Sequence, residues 1–438
     1  MATTGAASSE ARNGTAAKED VWLTRAPWAG CAAALQTIDE VVRSGDAFGL
    51  ATEHGDVRDR GIALPTSPTS CHAARVPDAS ATFTVDGPLD LRLTLRLLRV
   101  GPLDPTMIVG EDEAWIAVHP SAGPSALHVR RVATHDAGAL EGSAREGGAK
   151  EATVHDPRVT ETNAIDRVGG VSRRGIETSV IEAHAFGPAA AWLVEQAPRF
   201  VGAGYAPRPF GHRALDEAAA LRRGLRPCVA PVLVDVIVRY VAQQRVTFAD
   251  AASAYRQLVL RFGAKVAGTP DGLRAPPSAR QLASLPYFEL HPFGLERRRA
   301  ETIAAVAKRA TRIEALRDAP FDEVRTKLAL FRGVGPWTRE MVLATALGDF
   351  DAVPTGDYHL PHLVAWTLAG TERDRARPGP DPNADRRMLE LLAPFAGQRF
   401  RALQMLDAFQ HTTGGPFRPE PRHGPRHPRM PWVRRSDR

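Results

Sequence analysis

Two kinds of chemistry-bearing residue lie close together between Phe321 and Trp366, in FDEVRTKLALFRGVGPWTREMVLATALGDFDAVPTGDYHLPHLVAW. The first is a pair of glycines, Gly333 and Gly335, in the turn Arg332-Gly333-Val334-Gly335 just ahead of Pro336 and Trp337. Glycine permits backbone angles that a side chain forbids and lets the main chain approach another surface closely. Proline favours the first position of a helix, where the N–H groups are unpaired and point outward, so this turn is suited to bind phosphate. The second kind is a set of carboxylates and imidazoles, Asp349, Asp351, Asp357, His359 and His362. These are the ligand types of a metal-dependent hydrolase, yet their spacing meets no known ligand pattern. A single fixed carboxylate has another use: it stabilises positive charge that develops in a transition state, and it orients or deprotonates an attacking water. Asp357 also stands where an aspartate caps a helix beginning near Tyr358. The two roles are compatible, because a helix N-terminus keeps a carboxylate ionised.

The elements that must position these residues follow from periodicity. Leu328, Phe331, Val334 and Trp337 keep a spacing of three, and the apolar stripe resumes through Met341, Leu343 and Leu347. This predicts two short helices joined by a tight glycine hairpin. Beyond Pro198 the chain reads as helical throughout. Pro231 to Gln244 is apolar almost all round, which predicts a central core helix, and Phe248 to Phe262 is amphipathic. Ser278 to Leu285, Leu295 to Thr311 and Phe321 to Phe331 are further helices, punctuated by Pro and Gly. Ahead of Pro198 the pattern is of period two. Leu89, Leu91, Leu93, Leu95 and Leu97 alternate with Asp90, Arg92, Thr94 and Arg96, which predicts a half-buried strand. Thr82 to Val85, Ala114 to His119, Ala126 to Val132 and Ile176 to Ala185 are further strands, followed by a helix over Gly187 to Ala197. Residues 133–174 are polar and glycine-rich and read as a loop or insertion. Residues 1–80 are expected to be a mostly disordered leader with one amphipathic helix near Ala32 to Val42. The tail over 411–438 is dense in Arg and Pro, as a flexible basic arm would be.

At 438 residues, 43% of them hydrophobic, the chain is long enough for two or three domains with large cores. Its N-terminus has no apolar signal core, and no run approaches the roughly 18 apolar residues needed to cross a bilayer, so a cytoplasmic protein without a membrane partner is expected. Three cysteines, Cys31, Cys71 and Cys228, are too few and too scattered for a zinc site or a disulfide framework, and they exclude a four-cysteine iron–sulfur cluster. A net charge of +6 suits a polyanionic partner.

The segment L-x-x-F-R-G-V-G-P-W-T, followed by an apolar helix, L-G-D-F-D and then P-T-G-D-Y, resembles the helix-hairpin-helix DNA glycosylases, most of all the branch that contains 3-methyladenine DNA glycosylase II. Similarity extends over roughly residues 176 to 410. It includes Gln243-Gln244-Arg245-Val246-Thr247, like the family's Q-Q-V-S segment, and the Arg-rich start Leu295 to Ala305. The resemblance implies an α+β fold: a small antiparallel sheet with helices over 81–198, then an all-α catalytic domain over 199–410.

Residue by residue, the resemblance implies that Asp357 is the catalytic aspartate and that Trp337, Met341 and Tyr358 line the base pocket. Gly333, Gly335, Trp337 and Thr338 would meet DNA phosphates through their backbone N–H groups. The carbonyls of Ala329, Phe331 and Val334 would hold a sodium or potassium ion, and no other cofactor is required. Gln244 would fill the gap left by an extruded base. Bifunctional members place a lysine where this chain has Trp337. Tryptophan supplies no nucleophile, so the expected enzyme is monofunctional, uses water and stops at an abasic site. Two positions depart from the pattern: Met341 replaces an aromatic residue, and Leu406 or a neighbour replaces a pocket tryptophan, so the pocket is less aromatic. The implied partner is double-stranded DNA, bound by a nucleoid-associated monomer. The alternative is a damage sensor that kept the hairpin and lost catalysis.

Overall fold

The computed structural model describes residues 76–136, 177–370 and 383–413. The leader up to residue 75, with its expected helix, the insertion from 137 to 174 and the tail from 414 onward lie outside the described residues.

Five strands form one antiparallel sheet: β1 (Ala79–Asp86), β2 (Met107–Val109), β3 (Glu113–Val118), β4 (Ser125–Asp136) and β5 (Glu177–Phe186), in the spatial order β1-β5-β4-β3-β2. Four match the expected strands. β4 continues through Ala133 to Asp136, which the sequence reading gave to the loop, because a register shift between Arg131 and Ala133 lets the ladder with β5 resume. β2 is only three residues long, too short for alternation to reveal.

The leucine run is a correction. Leu91–Leu95 is a helix, α1, continued by a 3-10 turn over Arg96–Leu98. Asp90 caps it, its Oδ1 accepting from the Leu93 N–H at 2.9 Å. The buried set is Leu91, Thr94, Leu95 and Leu98, the spacing of one helix face, so the alternation of leucines is coincidental.

α2 (Ala190–Phe200) packs across β1, β5 and β4. After α3 (Arg213–Leu221), α4 (Leu233–Ala242) runs through the centre with all ten residues buried, as its composition required. α5 (Phe248–Phe262), α6 (Ala279–Ser284) and α7 (Tyr287–Leu290) follow. A capping box between Ser278 and Gln281 starts α6. The expected helix over 295–311 is two, α8 (Arg297–Ala307) and α9 (Ala310–Glu314), parted at Lys308 and Arg309. α10 (Phe321–Ala329), α11 (Pro336–Val342, extended by a wider π turn to Leu347), α12 (Leu360–Ala369), α13 (Ala384–Leu392) and α14 (Arg399–Thr413) complete the helices of the described residues.

Two apolar cores matter for the site. The larger runs without a break from the sheet (Val85, Leu127, Ile181) through α2 and α4 to Leu328, Val334 and Val342 around the hairpin. The smaller joins α3, α12, α13 and α14 through Leu215, Leu363, Met388, Leu392 and Leu403. Among the described residues no helix is long and apolar enough to cross a membrane.

Candidate active site and nucleic-acid interface

The hairpin between α10 and α11 is built as the glycines anticipate, with a different reason at each. Gly333 has φ +96, and a Cβ there would overlap the Thr302 hydroxyl of α8. Gly335 is in ordinary extended backbone, φ −77 and ψ 178, and nothing lies within 4 Å of a Cβ built on it. Its part is to leave the surface open ahead of Pro336, the first residue of α11. The turn is tied by the Val334 N–H donating to the Phe331 carbonyl at 3.0 Å. Within the expected stripe, Leu328 and Val334 are buried, whereas Phe331 and Trp337 are partly buried against the same core. The carbonyls of Ala329 and Val334 accept no hydrogen bond among the described residues, and together with that of Phe331 they are hard oxygen donors, the type a sodium or potassium ion takes.

Gln244 is turned onto this hairpin. Its Nε2 donates to the Gly333 carbonyl at 2.8 Å and to the Thr338 hydroxyl at 2.8 Å. Thr338 is itself buried, and its hydroxyl is engaged by Gln244. The next residue, Arg245, has φ +56, the one positive φ outside glycine among the described residues, and its side chain is exposed. Arg299, buried on α8, donates to the carbonyl of Ala242 at 2.8 Å and to that of Gly294 at 2.6 Å. Two side chains thus bind three loops, 243–247, 291–296 and 332–335, into one surface. No local pattern pairs Gln244 and Arg299 with these distant carbonyls; the glutamine pair and the Arg-rich helix start are the only hints of this role in the sequence.

Trp337 presents its edge to Tyr240 of α4, with ring centroids 5.7 Å apart and planes at 88°. Tyr240 is buried and its hydroxyl meets Thr345 Oγ1 at 3.1 Å, and burial holds the phenol in its neutral form. Met341 is buried in the main core with 8% of its surface exposed, and Leu406 is buried in the smaller core.

From α11 the chain crosses to the smaller core through residues 348–359, which charged pairs hold. Arg325 of α10 donates to both oxygens of Glu340, at 2.9 and 3.0 Å, and to Asp349 at 2.8 Å. These carboxylates raise the pKa of the Arg325 guanidinium. Asp351 is clasped by Arg399 of α14 at 2.8 and 2.5 Å. Asp349 and Asp351 therefore serve ion pairs, and the described residues contain no group of three His, Cys, Asp or Glu side chains placed to hold a metal. An open cleft of about 350 Å³ beside these pairs is lined by Phe321, Asp322, Arg325, Asp349, Asp351 and Arg399, and not by Asp357 or Trp337.

Asp357 is half-buried at the head of α12. Its Oδ1 accepts from the N–H groups of His359 at 2.7 Å and Leu360 at 2.8 Å, so it caps the helix. Its Oδ2 accepts no hydrogen bond among the described residues. One oxygen thus fixes the group and leaves the other unengaged, so capping by Asp357 does not by itself preclude a chemical role. Tyr358 follows with its ring edge-on to His359, centroids 4.9 Å apart.

No family model matches this sequence. Over 141 residues, 32% of this chain, it is 32% identical to the probable bifunctional transcriptional activator/DNA repair enzyme AlkA of Mycobacterium tuberculosis. It spans only about 28% of that relative's length. The fold is similar to that of a 3-methyladenine DNA glycosylase from Archaeoglobus fulgidus, with a TM-score of 0.53 and 19% identity over 76% of this chain and 98% of the other. It is also similar to that of MBOgg1, whose structure is a complex with a low-affinity DNA ligand, with a TM-score of 0.50 and 14% identity over 78% of this chain and 99% of the other. The α+β architecture expected from the hairpin's resemblance is thus the observed one: the fold is that of the helix-hairpin-helix DNA glycosylases.

Proposed function

We propose that this chain is a monofunctional DNA glycosylase of base excision repair, which hydrolyses the N-glycosidic bond of alkylated or deaminated purines in duplex DNA and leaves an abasic site. The observation that carries this reading is the divided carboxylate of Asp357, anchored through Oδ1 and unengaged through Oδ2.

In a purine alkylated on a ring nitrogen the base already carries positive charge, so it departs as a neutral molecule when the bond from C1′ breaks. The electron pair leaves with the base, and the charge moves to the sugar. The Oδ2 of Asp357 stabilises that charge, then accepts a proton from the water that adds to C1′. A deaminated purine is neutral at the start and must gain a proton to leave as easily. Trp337 offers its indole to the extruded base and brings no amine, so no Schiff base forms and the strand stays intact. Backbone N–H groups at Gly333, Gly335, Trp337 and Thr338 grip phosphate, and the carbonyls of Ala329, Phe331 and Val334 would hold a monovalent cation that screens it. The gap in the duplex is filled from the loop over 243–247. Because the amide of Gln244 is occupied by the hairpin, the group that this loop presents is Arg245.

The test is a panel of duplexes carrying 7-methylguanine, 3-methyladenine or hypoxanthine, incubated with the protein and split into portions with and without hot alkali. Free base, with strand breaks only after alkali, is the expected result. Breaks without alkali would show lyase action and overturn the monofunctional assignment. Binding to every duplex with no base released would favour the damage-sensor alternative.

A further inference from the structure

Asp385, in the first turn of α13, does not cap its own helix. Its Oδ2 accepts the N–H of Gly356, 29 residues earlier, at 2.9 Å. Gly356 has φ +83 and immediately precedes Asp357. The other oxygen of Asp385 is buried and has no partner among the described residues. A buried carboxylate oxygen without a partner costs free energy, which helix capping would not require. An acidic residue in the first turn of a helix is favoured by the helix dipole whatever else it does. That preference explains the residue type but not the direction of the carboxylate, which is spent on a loop.

We propose that Asp385 is a positioning residue for Asp357. The turn Thr355-Gly356-Asp357 has two fixings on either side of the reacting carboxylate. Downstream, Asp357 Oδ1 holds the head of α12. Upstream, Asp385 holds the Gly356 peptide, whose left-handed backbone sets the direction in which Asp357 leaves the turn. α12 and α13 pack side by side in the smaller core, and the clamp ties the turn ahead of α12 to α13. Without it the downstream anchor alone defines the carboxylate, and the turn is free to rotate about Gly356. Displacement of a reacting group by about 1 Å costs on the order of 100-fold in rate. Among the described residues the hydrogen bond of Asp385 goes to Gly356 and not to the hairpin, so duplex affinity is expected to survive its loss.

This inference rests on the glycosylase reading, and one experiment separates the two. Single-turnover release of base from a 7-methylguanine duplex is measured for the full chain, Asp385→Ala and Asp385→Asn, with duplex affinity and melting temperature for each. Asp385→Ala is expected to slow release at least tenfold with affinity unchanged within twofold. Asp385→Asn, whose amide oxygen still accepts the Gly356 N–H, is expected to restore most of the rate. Wild-type release by Asp385→Ala, a parallel loss of affinity and rate, or an Asn variant as slow as the Ala variant would each overturn the positioning role. An intact chain that releases no base from any lesion would overturn the glycosylase reading and this inference with it.

Discussion

The hairpin glycines differ in what the fold asks of them. Gly333 is left-handed and pressed against Thr302, whereas Gly335 is extended and open. Gly333→Ala should destabilise the protein by about 1–3 kcal/mol, the usual cost of a side chain held in that backbone region, and lower its melting temperature. Gly335→Ala should melt like the wild type yet, on the proposed reading, bind duplex DNA more weakly, because the methyl group would stand where a phosphate is proposed to approach. A titration showing equal affinity for Gly335→Ala and wild type would contradict the assigned phosphate contact. At this scale the glycine turn and the capping position of Asp357 were legible, because a turn and a cap are local arrangements that neighbouring residues dictate. The partners of Gln244, Tyr240 and Asp385 were not. Gln244 meets a carbonyl 89 residues away, and no periodicity encodes such a meeting.

Among the elements, α4 and α5 were legible because each carries a long and unambiguous apolar pattern. α1 was misread because five alternating leucines fit a strand, and the signal that decided the matter, a capping aspartate at 90, is one residue. Asp90→Ala should cost about 1 kcal/mol in chemical denaturation, the usual price of a lost N-cap. A second element-scale dependence concerns the join between α10, α11 and the crossing segment. Arg325 serves Glu340 and Asp349, both with side chains about one-tenth exposed. The Arg325 side chain is itself about one-third exposed, so removing it from two nearly buried carboxylates costs less than for a fully buried pair, on the order of 1–2 kcal/mol. Arg325→Met should therefore lower stability clearly, and far more than Arg213→Met, whose pair with Glu217 is exposed. Equal melting temperatures for the two variants would show that the network does not hold the segment.

The whole molecule joins sheet and helices through one core, and at that joint lies a buried titratable group. The carboxylate of Asp235 on α4 accepts the His119 N–H at 2.8 Å, beside the buried Arg239 and near Glu314. Burial pushes the Asp235 carboxyl up from the ordinary 3.8 to about 7. A folded-state pKa above the unfolded one means that the native protein binds the proton more tightly. The resulting stabilisation is complete below about pH 4 and is lost as pH rises through 7. Burial lowers the pKa of His119, which acts in the opposite sense below its unfolded pKa. Urea midpoints should accordingly carry a falling contribution between about pH 4 and 7 that levels off above 7, and Asp235→Asn should remove that contribution. Sheet and helical order were foreseen from the chain, but the continuity of their core was not, since apolar patterns show which faces are buried and not against what. The proposed base release from duplex DNA would draw on all these scales at once, and it is tested most directly by comparing the intact protein with Asp357→Asn. The amide keeps the helix cap and removes the charge, so duplex binding should be unchanged and release reduced by at least a thousandfold, of order 4 kcal/mol. Undiminished release by Asp357→Asn would contradict the proposed role of Asp357.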